Sequence, residues 1–198
     1  MRHKRHGRVL GRAPSHRRSL FRNMVTAIVL TERETDELDP NPPKVKGRIV
    51  TTLEKAKEIR PLVEKCVTLA KNCRIAEQAA AEFGTDADRN SESWKQWRKS
   101  ERHSQWVAAR APAVAARRRL YQILQSKQAV QILCDQLAER FEDRPGGYTR
   151  ILRLAKPRLG DAGTRAILEF VGRNDRSAKK SQKPDFGNAE SNSPASDQ

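Results

Sequence analysis

Arg2, Lys4, Arg5, Arg8, Arg12, Arg17, Arg18 and Arg22 crowd the start of the chain, with His3, His6 and His16 among them, and no acid precedes Glu32. A packed interior cannot absorb such a run, because each unpaired buried cation costs several kcal/mol. In water alone the run repels itself. A phosphate polyanion resolves both problems, since every phosphate neutralised releases condensed counterions. Arginine outnumbers lysine here, and its planar fork suits bidentate phosphate contact and base stacking. Gly7, Gly11 and Pro14 keep the segment out of regular helix until Ser15, so it reads as an extended arm entering a helix. A solvated tail or an address signal is the plainer reading of a charge block. Direct entry into a helix, with no linker, argues against it. A secretory signal peptide is not expected, because no apolar stretch of sufficient length follows the charges.

Other chemistries find no support. Glu54 and Glu58 share a helix face but look like capping and surface charge, and the carboxylates do not converge. No phosphate loop, histidine–glutamate metal motif or serine elbow is present. His3, His6 and His16 sit among arginines that would repel a metal cation. Asp86-x-Asp88-x-Asn90 starts like a calcium loop, but Ser91 and Trp97 stand where that loop needs glycine and glutamate. Cys66, Cys73 and Cys134 are odd in number and lack finger-like spacing, which fits reduced thiols in a cytosol rather than zinc or disulfides. No enzyme activity, metal, cofactor or small-molecule substrate is therefore expected. The chain has 198 residues, a net charge of +16 and a pI near 10.4, so its partner should be an anionic polymer or surface. No apolar run approaches membrane-spanning length, which favours nucleic acid. Hydrophobic content of 36% and aromatic content of 5% predict a small core.

The elements that must position this charge follow from periodicity. Ser15 is a good N-cap for a helix to about Leu30, with Leu20, Phe21, Met24, Val25 and Ile28 on one side and Arg18 and Arg22 on the other. Residues 32–46 are acidic, then rich in proline, and read as an exposed loop. Its acids Glu32, Glu34, Asp36, Glu37 and Asp39 should keep it off RNA. Arg48, Ile49, Val50 and Thr51 form a short strand. A Thr51–Glu54 capping box opens the next helix, striped by Leu53, Ala56, Ile59, Val63, Cys66 and Ala70, with a kink or restart expected at Pro61.

Residues 74–112 read as an insertion with a break over residues 84–90. There Trp94, Trp97 and Trp106 lie among Lys95, Arg98, Lys99, Arg102 and His103. Such rings stack on bases or form a satellite core under a helix pair, and helical period favours the core. A helix over residues 115–125 carries Arg117, Arg118 and Arg119. Ser126 caps another, striped by Val130, Leu133, Cys134, Leu137, Ala138 and Phe141. Strands are predicted over residues 148–156 and 164–171, joined by the turn residues of 157–163. Residues 174–198 are polar and should be disordered.

Four blocks in order, MRHKRHGRVLGR, SHRRSLFRNM, RIVTTLEKAKEIRPLVEKCVTLAK and RFEDRPGGYTRILRLAKPRLGDAGTRAILEFV, resemble the bacterial large-subunit ribosomal protein seventeen family over about half of the chain. The resemblance implies an α/β core on large-subunit ribosomal RNA near the polypeptide exit tunnel, among neighbouring large-subunit proteins. It places Arg2, His3, Arg8, Arg12, His16 and Arg17 in an RNA-contacting arm. Tyr148, Arg150 and Arg153 match the family's Gly-Gly-Tyr-Thr-Arg stretch. The proline-rich segment, the tryptophan segment and the C-terminal tail depart from the family pattern.

The expected fold is α/β (α+β), a small mixed sheet including a C-terminal hairpin, packed against several helices and carrying the basic arm. Residues 1–14 form the arm, 15–173 a single core with insertions at about 32–46 and 74–112, and 174–198 the tail. On charge, Lys4, Arg5, Arg18, Arg22, Lys55, Lys57 and Arg60 join the RNA-binding set. So do Arg117, Arg118, Arg119, Arg144, Lys156 and Arg158. Ordering the arm costs about 1–2 kcal/mol per residue in backbone entropy, so it should order only on RNA. The alternative function is a free nucleic-acid binder, such as a nucleoid protein or RNA regulator.

Overall fold

One long helix organises the chain, and the computed structural model describes residues 7–35 and 38–172 around it. Helix α1 spans Pro14–Leu30. It begins two residues earlier than an N-cap at Ser15 would set it: Ala13 is the N-cap and Pro14 takes the first helical position. Proline suits that place because its missing N–H would have no helical partner there and its φ is already helical. Val25, Ile28 and Val29 are fully buried, with Phe21 and Met24 packed beside them.

The loop after α1 is closed at both ends by Thr31. Its hydroxyl donates to the carbonyl of Ile28 at 2.6 Å and accepts from the amide of Gly47 at 3.0 Å. Gly47 holds φ at 77°, a left-handed turn that favours glycine. Leu38 is 95% exposed, and Asp39 accepts from Arg33 at 2.9 Å. The expected exposed loop is corrected at its first residue, Glu32. It is 4% exposed and takes a hydrogen bond from Arg140 at 2.9 Å, so its charge is paired within the fold. Asp36 and Glu37 lie outside the described residues.

Strand β1 (Arg48–Thr52) runs straight into helix α2 (Leu53–Ala81). The expected capping box does not form. Thr51 is committed to the sheet opposite Ala166, Thr52 is the N-cap, and no side chain caps the helix. The amide of Leu53 donates instead to the carbonyl of Thr164 at 3.0 Å. Pro61 lies inside α2 without restarting it. Lacking an N–H, it leaves the carbonyl of Lys57 without its usual intrahelical donor.

Helices α3 (Glu92–Lys99) and α4 (Glu101–Leu124) bring the chain back along α2. Arg102 donates to the carbonyl of Glu82, and Cys73 to that of Ala113, so the two helices run antiparallel. The helix expected over 115–125 therefore begins much earlier and continues through Pro112. Most of the predicted insertion lengthens a hairpin of two helices rather than forming a separate unit. Its alanines favour helix and permit close approach of the two axes.

Ser126 caps α5 (Lys127–Ile132), accepting from the amide of Ala129 at 3.3 Å. The chain passes through a π-helical turn, Leu133–Leu137, into α6 (Ala138–Arg140). Val130, Leu133, Cys134, Leu137, Ala138 and Phe141 are all buried, as the stripe requires. Strands β2 (Thr149–Arg153) and β3 (Arg165–Phe170) follow, both shorter than predicted.

The sheet has the order β1-β3-β2, and both pairings are antiparallel, so the expected mixed sheet is corrected. Leu168 faces Ile49 and Ile151 across the sheet, a row that meets the helices. Ile167 faces Val50 and Leu152 on the opposite side, where the latter two are exposed. Helix α2 packs against α1, α4 and the sheet, which makes it the spine of the core. Among the described residues no helix is long and apolar enough to cross a membrane.

Candidate nucleic-acid interface

The first half of α2 and strand β2 enclose an open groove of about 670 Å³. Leu53, Pro61 and Ile151 supply its apolar lining, and Lys57, Arg60 and Arg153 its charge. None of those three cations has an acid partner among the described residues. Glu64 also lines the groove, but its carboxylate is occupied. It accepts from the amides of Tyr148 at 3.0 Å and Thr149 at 2.9 Å, and from the Thr149 hydroxyl at 2.6 Å. One helical carboxylate thus pins the start of β2; it keeps its charge but pairs with none of the three cations, which outnumber it.

The end of the arm lies beside the same helix. Arg8 approaches Glu58 at 3.9 Å. Leu10 and Gly11 hold φ at 56° and 62°, and this turn lets the amide of Arg12 donate to the carbonyl of Val9. Arg12 reaches the carbonyl of Leu10 at 2.7 Å, and Arg17 reaches that of Arg8 at 3.3 Å. His16 and Arg18 are exposed on the first turns of α1. Arg2, His3, Lys4 and Arg5 lie outside the described residues.

The other basic residues expected to meet RNA fall into two groups. Lys156, Arg118 and Arg119 are exposed, and Lys55 is half-buried on α2. The second group has work inside the fold. Arg22 donates to the carbonyl of Ile123 at 3.3 Å and to Gln125 at 2.6 Å, closing the end of α4. Arg117 binds Glu77 at 2.9 Å and Asp135 at 3.3 Å. The bond to Glu77 raises its pKa against the opposing effect of burial.

Arg144 folds back on the carbonyls of Gly146 and Gly147. Arg150 meets Glu169, 1% exposed, directly across the sheet at 2.5 Å. Arg158 pairs with Asp161, and that bond holds the carboxyl well below the usual range. Tyr148 is 2% exposed, its ring 5.2 Å from Phe141 with Lys71 above it at 5.5 Å. Its side chain supports the groove wall from inside.

The remaining chemistry is inert. Cys66, Cys73 and Cys134 are free and buried. Burial pushes the thiols of Cys66 and Cys134 up to about 12, so they pack as small hydrophobes. Sequence reasoning missed Glu64, because a lone glutamate on a helix carries no sign that it will meet amides 84 and 85 positions further on.

The family model described as Ribosomal protein L17 matches residues 20–171, from within α1 to just past the last strand. The chain belongs to the ribosomal protein L17 family. Three relatives are each called large ribosomal subunit protein bL17. That of Rhodopirellula baltica is 59% identical over 197 residues, covering 100% of this chain and 92% of its own length. That of Nitratidesulfovibrio vulgaris is 34% identical over 171 residues, 86% of this chain and 88% of its own. That of Halothermothrix orenii is 32% identical over 164 residues, 83% and 96%. As an L17-family member the chain is a structural protein of the large ribosomal subunit and not an enzyme. It belongs to the translation machinery, in the ribosomes of the bacterial cytoplasm.

Proposed function

We propose that the protein binds large-subunit ribosomal RNA through its basic N-terminal arm and the α2–β2 groove, with the α/β core fixing where the arm departs. The observation that carries this reading is the groove itself. Lys57, Arg60 and Arg153 converge with no acid partner, since the one lining carboxylate, Glu64, is turned to backbone amides and is outnumbered three to one. The Lys57 carbonyl freed by Pro61 adds an acceptor suited to a ribose hydroxyl. Arg8, Arg12, His16, Arg17 and Arg18 continue the charge from the groove along the arm's end. The family resemblance favours a position near the polypeptide exit tunnel, against neighbouring large-subunit proteins. Residues 1–14 act as the arm, 15–173 as one core and 174–198 as a tail without a large share of the binding.

Deleting the arm, residues 1–12, should lower affinity for large-subunit RNA and flatten its salt dependence. With roughly 0.7–0.9 units of log–log slope per phosphate contact, and only part of the arm engaged, a fall of about 3 units is expected. Removing residues 174–198, where lysines and acids mix, should change the slope by no more than about one unit. Equal slope changes for the two truncations would refute the arm's role. Crosslinks on intact subunits test the location.

A further inference from the structure

The tip of the α2–α4 hairpin carries a second concave site, of about 650 Å³, between α3, the start of α4 and the loop after α2. Trp94, Trp97 and Trp106, the chain's complement of three tryptophans, all line it, beside His103. So do Arg89, Arg98 and Arg110, and no carboxylate is among its lining residues. Trp97 is the fixed wall. Its indole N–H donates to the carbonyl of Phe83 at 3.1 Å, and its ring meets His103 at 4.8 Å and Trp106 at 5.5 Å, both edge-on. Helical period favours a satellite core here, and the rings do touch, but all three tryptophans stay half-buried. Trp106 shares in that packing, its ring stacked on His103 at 6.0 Å, but it and Trp94 also meet cations. Each carries a guanidinium over its ring, Arg98 at 5.0 Å and Arg110 at 4.8 Å. Neither indole N–H has an acceptor among the described residues, and α3 has no buried residue.

We infer that this tip is a second RNA site, which stacks an unpaired base on the Trp94–Arg98 and Trp106–Arg110 planes while Arg89 and the same guanidiniums take its phosphates. The inference rests on the proposal that the chain works bound to ribosomal RNA. The chemistry selects the ligand. An acidic peptide would use the arginines but not three flat rings, whereas every base offers a π-face and every nucleotide a phosphate. Guanidiniums already held over indole rings lose little further side-chain entropy when a base stacks on them.

Because the chain's tryptophans all sit in this one site, their fluorescence reports its occupancy in the full-length protein. Titration with short single-stranded oligoadenylate should quench it to saturation. The exposed pair Arg98→Gln with Arg110→Gln should weaken that quench by about tenfold, and Trp94→Leu by a similar factor. Filter retention of large-subunit RNA is dominated by the many phosphate contacts of the arm and groove, and should stay within a few-fold in the same variants. If oligoadenylate gives no quench while filter retention is intact, the tip inference falls and the arm proposal stands. If an oligoglutamate peptide quenches and oligoadenylate does not, the site is a protein-docking one and the inference is overturned. Loss of filter retention in the unaltered chain would instead remove the arm proposal.

Discussion

The α2–β2 groove and the arginine run of α4 carry the same kind of charge and behave differently. In the groove Lys57, Arg60 and Arg153 form no ion pair, because the one acid lining it, Glu64, turns its oxygens to the start of β2 and its single charge is outnumbered. On α4, Arg117 is half-buried and held by Glu77 and Asp135, while Arg118 and Arg119, its immediate neighbours, are exposed. Net charge is therefore a poor guide to a binding surface. What matters is how many cations are left over once the fold has paired its own acids. An exposed ion pair contributes little to stability, but it withdraws its cation from the surface potential.

That contrast can be broken at its support. Phe141 lies 5.2 Å from the ring of Tyr148 and 6.1 Å from that of Phe170, so it backs the wall of the groove. Phe141→Ala should destabilise the protein by about 3–5 kcal/mol, a loss a small core can hardly carry. Thermal unfolding checks this, and an unchanged midpoint would show that the stripe does not brace the sheet. A smaller effect is expected from Lys57→Gln combined with Arg60→Gln. The fold should be unaffected, and the salt slope of RNA binding should fall by roughly 1.4–1.8 units. A slope equal to that of the unaltered chain would take the groove out of the interface.

The finest test sets two adjacent arginines against each other. Arg118→Gln should lower the slope by about 0.7–0.9 unit if its guanidinium holds a phosphate, with no change in stability. Arg117→Gln should leave the slope alone and cost at most about 1 kcal/mol in unfolding, since its pairs are half-exposed. The reverse pattern would mean that Arg117 exchanges its acids for phosphate on binding.

Much of the architecture is legible along the chain because it is local. The stripe from Val130 to Phe141 repeats at helical spacing and is buried throughout, and the turn residues at 157–163 join two strands that pair in register. The family blocks are equally local, being runs of adjacent residues. Local rules fail where a distant partner competes. Thr51 does not cap α2, because β3 claims it for the sheet.

The sequence by itself determined the charge excess, the helical stripes and the family. Only the tertiary structure decided which charges are free. Arg140 finds Glu32 across 108 positions, Arg22 finds Gln125 across 103, and Glu64 finds Tyr148 across 84. Pairing energy depends on separation in space and on the dielectric around the pair. Neither is written in the order of residues, so the binding surface emerges only when the helices and sheet have packed.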